Sequence, residues 1–201
     1  MIKIYIENLL SSIMTDRLIQ QIQKIYAFSE EEIDILQGYL VNKFIRKGDH
    51  FLNVGQVNRH LAFIDTGLMM HYSIHDGVEI PCNFSLEGDW MASLKSFTEG
   101  SSTEVAIKAL EDTQVREISA EHLQQLFLSS PRWLLFKSHL VQLVFFTITQ
   151  HNADLAMLDA KERYYKFMQE NPELINRVPQ YYIAAYLGIK PQSLSRIRKE
   201  G

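Results

Sequence analysis

QYYIAAYLGIKPQSLSRIR, the stretch from Gln180 to Arg198, contains the pattern that decides the architecture of the C-terminal part of the chain. Its small and apolar residues recur at the spacing that two short helices need in order to pack their inner faces together. They are Ile183, Ala184, Leu187, Ile189, Leu194 and Ile197. Gly188 lies at the corner, where a tight turn between helices commonly requires a positive φ that suits glycine. Pro179 and Pro191 fit the first turns of the two helices. The stretch therefore predicts a helix-turn-helix.

The polar face of the second helix indicates what the motif binds. With residues placed at 100° steps, Leu194 and Ile197 define the buried direction. The residues nearest the opposite direction are Gln192, Ser195, Arg196 and Lys199. Arginine bonds guanine and glutamine bonds adenine in the major groove, while serine and lysine suit phosphates. An ordinary helical corner with a solvated polar face is the alternative. We predict contacts with double-stranded DNA through Lys190, Pro191, Gln192, Ser193, Ser195, Arg196 and Lys199.

The charge of the chain is unevenly distributed. The formal net charge is −4, but residues 1–152 carry 12 Lys and Arg against 18 Asp and Glu, whereas residues 153–201 carry 8 against 6. After Asn176 there are five basic residues and one acidic residue. The basic C-terminal region can bind DNA although the rest of the chain is acidic. Electrostatic attraction to phosphates acts over only about one Debye length, so the local charge decides.

The first 130 residues predict a β-domain with flanking helices. Apolar residues at helical spacing between residues 3 and 27 indicate one or two short helices, and Ser29 with Glu32 forms a capping box that opens another. Asp76-Gly77 between two β-rich runs is a strong hairpin signal. Several short strands separated by such turn signals predict a sandwich or jelly roll. The β-rich runs are Lys43 to Arg46, Leu61 to Asp65, Leu68 to His75, Val78 to Asn83, Glu104 to Leu110 and Gln114 to Ile118.

A long helix follows Pro131. Apolar residues cover well over half of its circumference, so it must pack on its own β-domain and on something else. We predict that the second surface is a symmetry mate; burial as the central helix of one chain is the alternative. Polar residues interrupt the apolar run, which argues against a membrane span. The expected dimer interface contains Trp133, Phe136, Leu140, Leu143, Val144 and Thr147.

The region after the long helix predicts a hinge. Residues 152–160 show a helix break, with Asp159 as the N-cap of the next helix. We expect a helix from Lys161 to about Gln169, a short one from Pro172, and then the helix-turn-helix. The chain is thereby divided into a sensor domain at 1–130, a dimerisation helix and hinge at 131–155, and a DNA-binding domain at 156–201.

The order of these parts, together with LGIKPQSLSRIRK and LEGDWMASLKSF, resembles the Crp/Fnr family of bacterial transcription regulators. The resemblance covers nearly the whole chain. It implies an α+β fold, in which an N-terminal β jelly roll, or double-stranded β-helix, with flanking helices precedes a long dimerisation helix and a C-terminal helical helix-turn-helix domain. It also implies a homodimer that binds a palindromic operator, contacts RNA polymerase and answers to an unknown small-molecule effector. By similarity the base-reading positions are Pro191, Gln192 and Arg196, of which the first two depart from the residues frequent in the family.

The resemblance also locates a ligand cassette. In cyclic-nucleotide-binding members a Gly-Glu pair holds the ribose, and an Arg-Ser or Arg-Thr pair holds the cyclic phosphate. In this chain Ala92-Ser93 falls at the first pair and Thr103-Glu104 at the second. A cyclic phosphate without a cation and beside a carboxylate is disfavoured, so we expect no binding of cyclic AMP. The pocket implied by the resemblance is lined by Ala92, Ser93, Leu94, Thr103 and Glu104.

Two alternatives of other classes stay open. One is a jelly-roll ligand-binding module that docks a protein through its C-terminal helices. The other is a cupin-like metalloenzyme, because His71 and His75 lie on the same side of one predicted strand near Glu79. Histidines four apart on a strand are distant for one ion, and the chain shows no nucleophile elbow, P-loop or dinucleotide fingerprint. We therefore expect a protein that is not an enzyme, with no metal and no cofactor.

The number of cysteines indicates the cellular compartment in which the protein works. Cys82 is the only cysteine, which excludes a disulfide framework, an iron–sulfur quartet and a zinc ribbon. The start MIKIYIENLL does not show a basic segment followed by a sustained apolar stretch, as a signal peptide would. We expect a cytoplasmic protein.

Overall fold

Two four-stranded antiparallel sheets form the β-domain in the computed structural model, which describes residues 16–200. One sheet has the order β1-β8-β3-β6 and the other β2-β7-β4-β5. The strands are β1 (Val41–Ile45), β2 (His50–Leu52), β3 (His60–Thr66), β4 (Met69–His75), β5 (Val78–Ser85), β6 (Trp90–Met91), β7 (Ala106–Ala109) and β8 (Thr113–Ser119). Side chains of both sheets share one core, which includes Ile45, Leu52, Ala62, Ile64, Met69, Met91, Ile107, Ala109 and Val115. The predicted jelly roll is confirmed.

A two-residue turn, Asp76-Gly77, joins β4 to β5. Both residues have positive φ, 50° at Asp76 and 76° at Gly77. A two-residue hairpin of type I′ requires this combination, because its backbone twist then matches the twist of the strands. The predicted hairpin is confirmed, and its register places Glu79 opposite Ile74.

The helices lie around this β-domain and after it. They are α1 (Arg17–Ile25), α2 (Glu30–Tyr39), α3 (Leu94–Glu99), α4 (Ala120–Ser129), α5 (Pro131–Met157), α6 (Ala160–Glu170), α7 (Leu174–Arg177), α8 (Gln180–Tyr186) and α9 (Pro191–Glu200). A capping box opens α2 at Ser29, as predicted, and the predicted N-cap Asp159 forms a second capping box with Glu162 at the start of α6. The part of the first predicted helical region that precedes residue 16 lies outside the described residues. None of the helices within residues 16–200 combines the length and the apolar character of a transmembrane segment.

The first turns of α5 belong to the core of the protomer. Trp133 is 0% exposed and stacks on Phe28, with ring centroids 4.1 Å apart. Phe136 is 2% exposed and meets the edge of Trp90 at 6.0 Å. Their assignment to the dimer interface is wrong, because a side chain that its own protomer buries has no surface left for a partner. From residue 141 to residue 150 every side chain of α5 is exposed.

The C-terminal helices cover the outer face of the β2-β7-β4-β5 sheet. One hydrophobic cluster joins the two parts of the chain. The β-domain contributes Leu68, Met70, Tyr72, Phe84, Ala106 and Leu110. The helices contribute residues that include Tyr164, Phe167, Leu174, Val178, Tyr182 and Ile183. The helix-turn-helix is therefore packed on the β-domain rather than held by a linker alone.

Two charged clusters reinforce this packing. In the first, Arg177 at the end of α7 donates two hydrogen bonds to Glu87, both at 2.9 Å. It donates two more to Glu111, at 3.0 and 2.7 Å. The hydrogen bonds from Arg177 lower the pKa of Glu87 to about 2. One guanidinium thus bridges two carboxylates of the β-domain.

The second cluster surrounds Glu79 on β5. The Tyr182 hydroxyl of α8 donates a hydrogen bond to Glu79, and both Glu79 oxygens lie 2.6 Å from Nζ of Lys108 on β7. Lys108 Nζ also lies 3.2 Å from the Tyr182 hydroxyl and 5.1 Å from the ring centre of Tyr72. We call the two clusters together the sheet clamp; its members are Glu79, Glu87, Lys108, Glu111, Arg177 and Tyr182.

Arg177→Gln tests the first cluster through the pH dependence of stability. At pH 7 the free energy of unfolding should fall by about 1–3 kcal/mol, because two carboxylates lose charge-assisted hydrogen bonds. A carboxyl whose pKa is depressed in the folded state stabilises the fold above its unfolded pKa, and it stops doing so as it becomes protonated. The difference between wild type and variant should therefore shrink as the pH falls from about 4.5 towards about 2. Urea denaturation across this pH range measures the difference.

Arg132→Gln is the matched control. It removes an ion pair with Glu32 at 3.2 Å, but the Arg132 side chain is 55% exposed. Exposed pairs of this kind contribute about 0–1 kcal/mol, so the control should change stability little. A loss in Arg177→Gln that stays constant down to about pH 2 would show that Glu87 is not the partner that matters.

Candidate nucleic-acid interface and ligand cassette

Local backbone hydrogen bonds build the helix-turn-helix. Gly188 has φ +64° and its N–H donates to the Ala185 carbonyl at 3.1 Å, while the Ile189 N–H donates to the Ala184 carbonyl at 2.8 Å. These bonds close α8 and turn the chain into α9. Ala184 is 0% exposed at the crossing. The predicted corner and its glycine are confirmed.

Arg163 on α6 supports the turn from outside the motif. Its Nε donates to the Leu187 carbonyl at 2.8 Å, and its Nη1 donates to the Leu158 carbonyl at 2.5 Å. The guanidinium therefore ties the corner of the helix-turn-helix to the hinge that precedes α6. This role is not predicted from the sequence, because an arginine on a polar helix face carries no local signal of what it contacts.

The outward face of α9 is open to solvent. Leu194 and Ile197 are 2% and 6% exposed and anchor the helix on α8 and α6. Of the seven residues predicted to contact DNA, Ser193 is half-buried and the other six are exposed; these are Lys190, Pro191, Gln192, Ser195, Arg196 and Lys199. The polar surface that the sequence predicts is thus brought together on one rigid helix.

A shallow cleft lies beside this face. It has a volume of about 370 Å³ and runs between the start of α6 and α9. Lys161, Ser193 and Arg196 line it, together with Asp159, whose carboxylate accepts the N–H groups of residues 161 and 162 at 2.8 Å. The cleft thus presents the Lys161 and Arg196 cations, the Ser193 hydroxyl and the capping Asp159 carboxylate beside the outward face of α9. Lys161 is not among the residues predicted from the sequence to contact DNA.

The ligand cassette is closed by hydrogen bonds within the chain. The Ser93 and Thr103 hydroxyls lie 2.8 Å apart, and the Thr103 hydroxyl donates to the Val105 carbonyl at 2.9 Å and accepts the Val105 N–H at 3.0 Å. The Ser93 N–H donates to Oδ1 of the buried Asn58 at 2.6 Å. The two hydroxyls predicted to line the pocket are therefore brought together, and they satisfy each other.

The remaining cassette residues do not converge on this hydrogen-bond network. Ala92 is half-buried, Leu94 is 38% exposed and Glu104 is exposed. Buried Ser96 accepts the Asn58 N–H at 2.8 Å and donates to the Ser101 carbonyl at 2.6 Å, which pins α3 to the loop before β3. Among these side chains the structure shows no cation directed at the Ser93–Thr103 pair.

The histidines considered for a metal site are separated. His71 is 7% exposed and lies 3.1 Å from the Ser85 hydroxyl; burial lowers its pKa to about 4. His75 is exposed, and Glu79 bonds Lys108 and Tyr182 rather than His71. Within residues 16–200 no group of three or more His, Cys, Asp or Glu side chains is placed to hold a metal ion. The cupin-like site is contradicted for these residues.

Comparison with solved structures finds the same architecture in bacterial regulators. FixK2 from Bradyrhizobium japonicum has a TM-score of 0.70 at 19% identity, over 80% of this chain and 83% of that chain. The c-di-GMP-responsive global regulator CLP from Xanthomonas campestris has a TM-score of 0.68 at 20% identity, over 86% and 91%. A protein from Eubacterium rectale described as a Crp/Fnr-family transcriptional regulator has a TM-score of 0.66 at 18% identity, over 86% and 83%. The chain has the fold of the Crp/Fnr regulators.

Comparisons at the level of sequence give no match, either to a protein-family model or to a curated protein. At identities of 16–20% the structural likeness establishes the fold, and the role of each residue rests on the geometry of this chain.

Cyclic AMP and cyclic GMP should not stabilise this protein. The cassette offers two hydroxyls that already bond each other, and a cyclic phosphate would have to break that bond without gaining a cation. Ligand at about one hundred times its Kd stabilises a fold by roughly 2.7 kcal/mol, which a thermal melt resolves. We expect no rise in Tm with either nucleotide at micromolar concentration. A clear rise would show that a cation outside the predicted pocket binds the phosphate.

Proposed function

We propose that this chain, with its Crp/Fnr fold, is a sequence-specific DNA-binding transcription regulator that acts as a homodimer. The observation that carries the proposal is the outward face of α9. Its anchoring residues are buried, while Gln192, Arg196 and Lys199 project into solvent. Glutamine and arginine read base edges in the major groove, and lysine binds phosphate.

The electrostatics of the C-terminal end support the same proposal. Of the five basic residues that follow Asn176, Arg177 is paired with Glu87 and Glu111, and the other four stand against one acidic residue in a chain whose net charge is −4. Lys161 adds a cation at the cleft beside α9. Phosphate contacts of this kind fix the register of a protein on the duplex, whereas base contacts specify the sequence. The reading face and its positioning cations are thus on the same side of the helix-turn-helix.

A heptad pattern on α5 supports the homodimer. Leu134, Val141, Ile148 and Leu155 follow each other at intervals of seven residues and are 49%, 43%, 56% and 40% exposed. The intervening positions of the 3-4 spacing, Ser138, Phe145 and Asn152, are exposed as well. We call these seven residues the heptad stripe. Apolar residues at this spacing form the seam of paired helices, and a single polar residue such as Asn152 fixes their register.

The heptad stripe differs from the interface predicted from sequence. Leu140 packs against the core of its own protomer, as Trp133 and Phe136 do. Leu143, Val144 and Thr147 are exposed and continue the same side of the helix beyond the β-domain. Val144 flanks the heptad stripe, whereas Leu143 and Thr147 lie on the far side of the helix from it. A second copy of the chain is the partner that a self-complementary stripe fits.

The sensor domain would answer to an effector other than a cyclic nucleotide, because its cassette is closed by the Ser93–Thr103 pair. RNA polymerase is the further partner that the role in transcription implies. The alternative of a protein-docking module is discriminated by the DNA experiment below, since such a module would not select a duplex sequence.

Glutamates in the heptad stripe should separate the protomers. We expect wild type at twice the chain mass of 23.4 kDa, and Val141→Glu/Ile148→Glu at the mass of one chain. Both side chains are exposed in the protomer, so the variant should keep its fold while each seam gains four unpaired carboxylates. Light scattering measures the mass and circular dichroism checks the fold.

Leu143→Glu/Phe146→Glu is the matched control on the same helix. These side chains are 50% and 64% exposed but lie on a side of α5 away from the heptad stripe. The control should stay dimeric. A wild type that is monomeric at micromolar concentration, or a control that dissociates while the stripe variant does not, would contradict the proposed seam.

DNA selection from a pool of random duplexes should return a palindromic sequence. On that duplex Arg196→Ala should cost about 1–3 kcal/mol per half-site and relax the preference at one base pair. Lys199→Ala should weaken all duplexes alike and reduce the salt slope by about one. Fluorescence anisotropy with single-base variants at several salt concentrations separates the two effects.

The outcomes of this experiment divide the hypotheses. Recovery of no preferred duplex by wild type would overturn the proposed function in favour of the protein-docking module. A loss for Arg196→Ala that is equal at every sequence would show that Arg196 contacts phosphate only. The proposed function would then rest on Gln192 as the remaining base-reading side chain of α9.

A further inference from the structure

The sheet clamp holds the helix-turn-helix at its first helix. Tyr182 lies in the middle of α8, and Arg177 lies three residues before α8 begins. Both side chains bond residues of the β-domain, through Glu79 on one side and through Glu87 and Glu111 on the other. Because α9 packs directly on α8, one helix separates the clamp from the reading face.

The same helices are also fixed to the end of α5. Lys166 Nζ on α6 lies 2.6 Å from Asp154, and Tyr186 at the end of α8 stacks on His151 with ring centroids 4.3 Å apart. The reading helices are therefore held from two sides, by the β-domain and by the helix that carries the heptad stripe. The two-residue connection of Leu158 and Asp159 would leave them free to swing if these contacts were absent.

Orientation matters because a symmetric dimer must place two reading helices on one duplex. Half-sites in the major groove lie about 34–36 Å apart, or one helical turn. When the first reading helix is bound, the second meets its half-site at an effective concentration that depends on how well it is held. If the second reading helix is held rigidly, its effective concentration is high at one half-site spacing and low at all other spacings.

We propose that the sheet clamp sets the half-site spacing that the dimer recognises, with Arg177 and Tyr182 as positioning residues for α9. The inference rests on the proposed function. Neither residue belongs to the outward face of α9, so their removal should leave the binding of a single half-site intact. What should change is the gain in affinity from the second half-site and the dependence of that gain on spacer length.

The test uses full-length Arg177→Gln/Tyr182→Phe and the palindrome selected by wild type. Phenylalanine keeps the ring of Tyr182 in its hydrophobic cluster and removes only the hydroxyl. Affinity is measured for the palindrome, for a duplex with one half-site scrambled, and for palindromes whose spacer is longer or shorter by one and two base pairs. We expect the half-site affinity within about twofold of wild type, the palindrome about tenfold weaker, and a flattened preference among spacers.

Two further variants separate positioning from folding. Arg177→Lys keeps a cation that can reach one of the two carboxylates, so it should restore part of the spacer preference. Lys43→Gln removes an ion pair of 3.2 Å with Glu117 inside the β-domain and should behave as wild type. If the double variant fails to fold, as near-UV circular dichroism would show, Tyr182→Phe alone carries the test.

Each other outcome has one reading. A double variant that keeps the full spacer preference overturns the inference and leaves the proposed function intact. Tighter binding by the variant also overturns it, because the clamp would then restrain DNA binding. Equal losses on half-site and palindrome would mean that the reading face itself is damaged. If wild type selects no duplex, the proposed function fails and this inference fails with it.

Discussion

The β2-β7-β4-β5 sheet has two apolar faces, and much of the remaining architecture follows from the need to cover both. One face packs on the other sheet; the second presents Met70, Tyr72 and Phe84 away from the β-core. Covering each large apolar side chain contributes about 1.5–3 kcal/mol, so leaving this face in water would destabilise the β-domain. Helices α6 to α9 provide the cover. The helix-turn-helix is thus held as a structural layer on the β-domain, which ties its position to the sheet beneath it.

How far the sequence predicts the structure depends on the range of the contacts involved. The helix-turn-helix can be predicted from the sequence because the residues that determine it are close together in the chain. Ala184, Gly188 and Ile189 lie within about one turn of each other. The double coverage of β4 has a visible sign as well, since Met69 to Tyr72 are buried in succession instead of alternating. That sign indicates a covered strand but does not identify the cover, because the residues on top lie about one hundred positions later in the chain.

The two faces of α5 illustrate the same limit. Its apolar residues surround the helix, and only the partners of Trp133, which include the distant Phe28, show which part its own protomer buries. Within the candidate sites, the resemblance assigns Ser93 and Thr103 to one cassette, but it does not predict their mutual hydrogen bond, which depends on how α3 is pinned by Asn58. Strands β2 and β6 escaped prediction because three and two residues show no period.

The length of α5 makes it a lever. The helix has 27 residues, with its first turns fixed by Trp133 in the protomer core and its last turns fixed to α6 through Asp154. At 1.5 Å per residue, the arm between those two anchors is about 32 Å long. A tilt of about 6° at the root moves the far end by roughly 3 Å, close to the axial distance between neighbouring phosphates of one DNA strand. If the contacts of the sheet clamp were released, a repacking of a few tenths of an ångström around Trp133 would be magnified into a displacement of the helix-turn-helix on this scale.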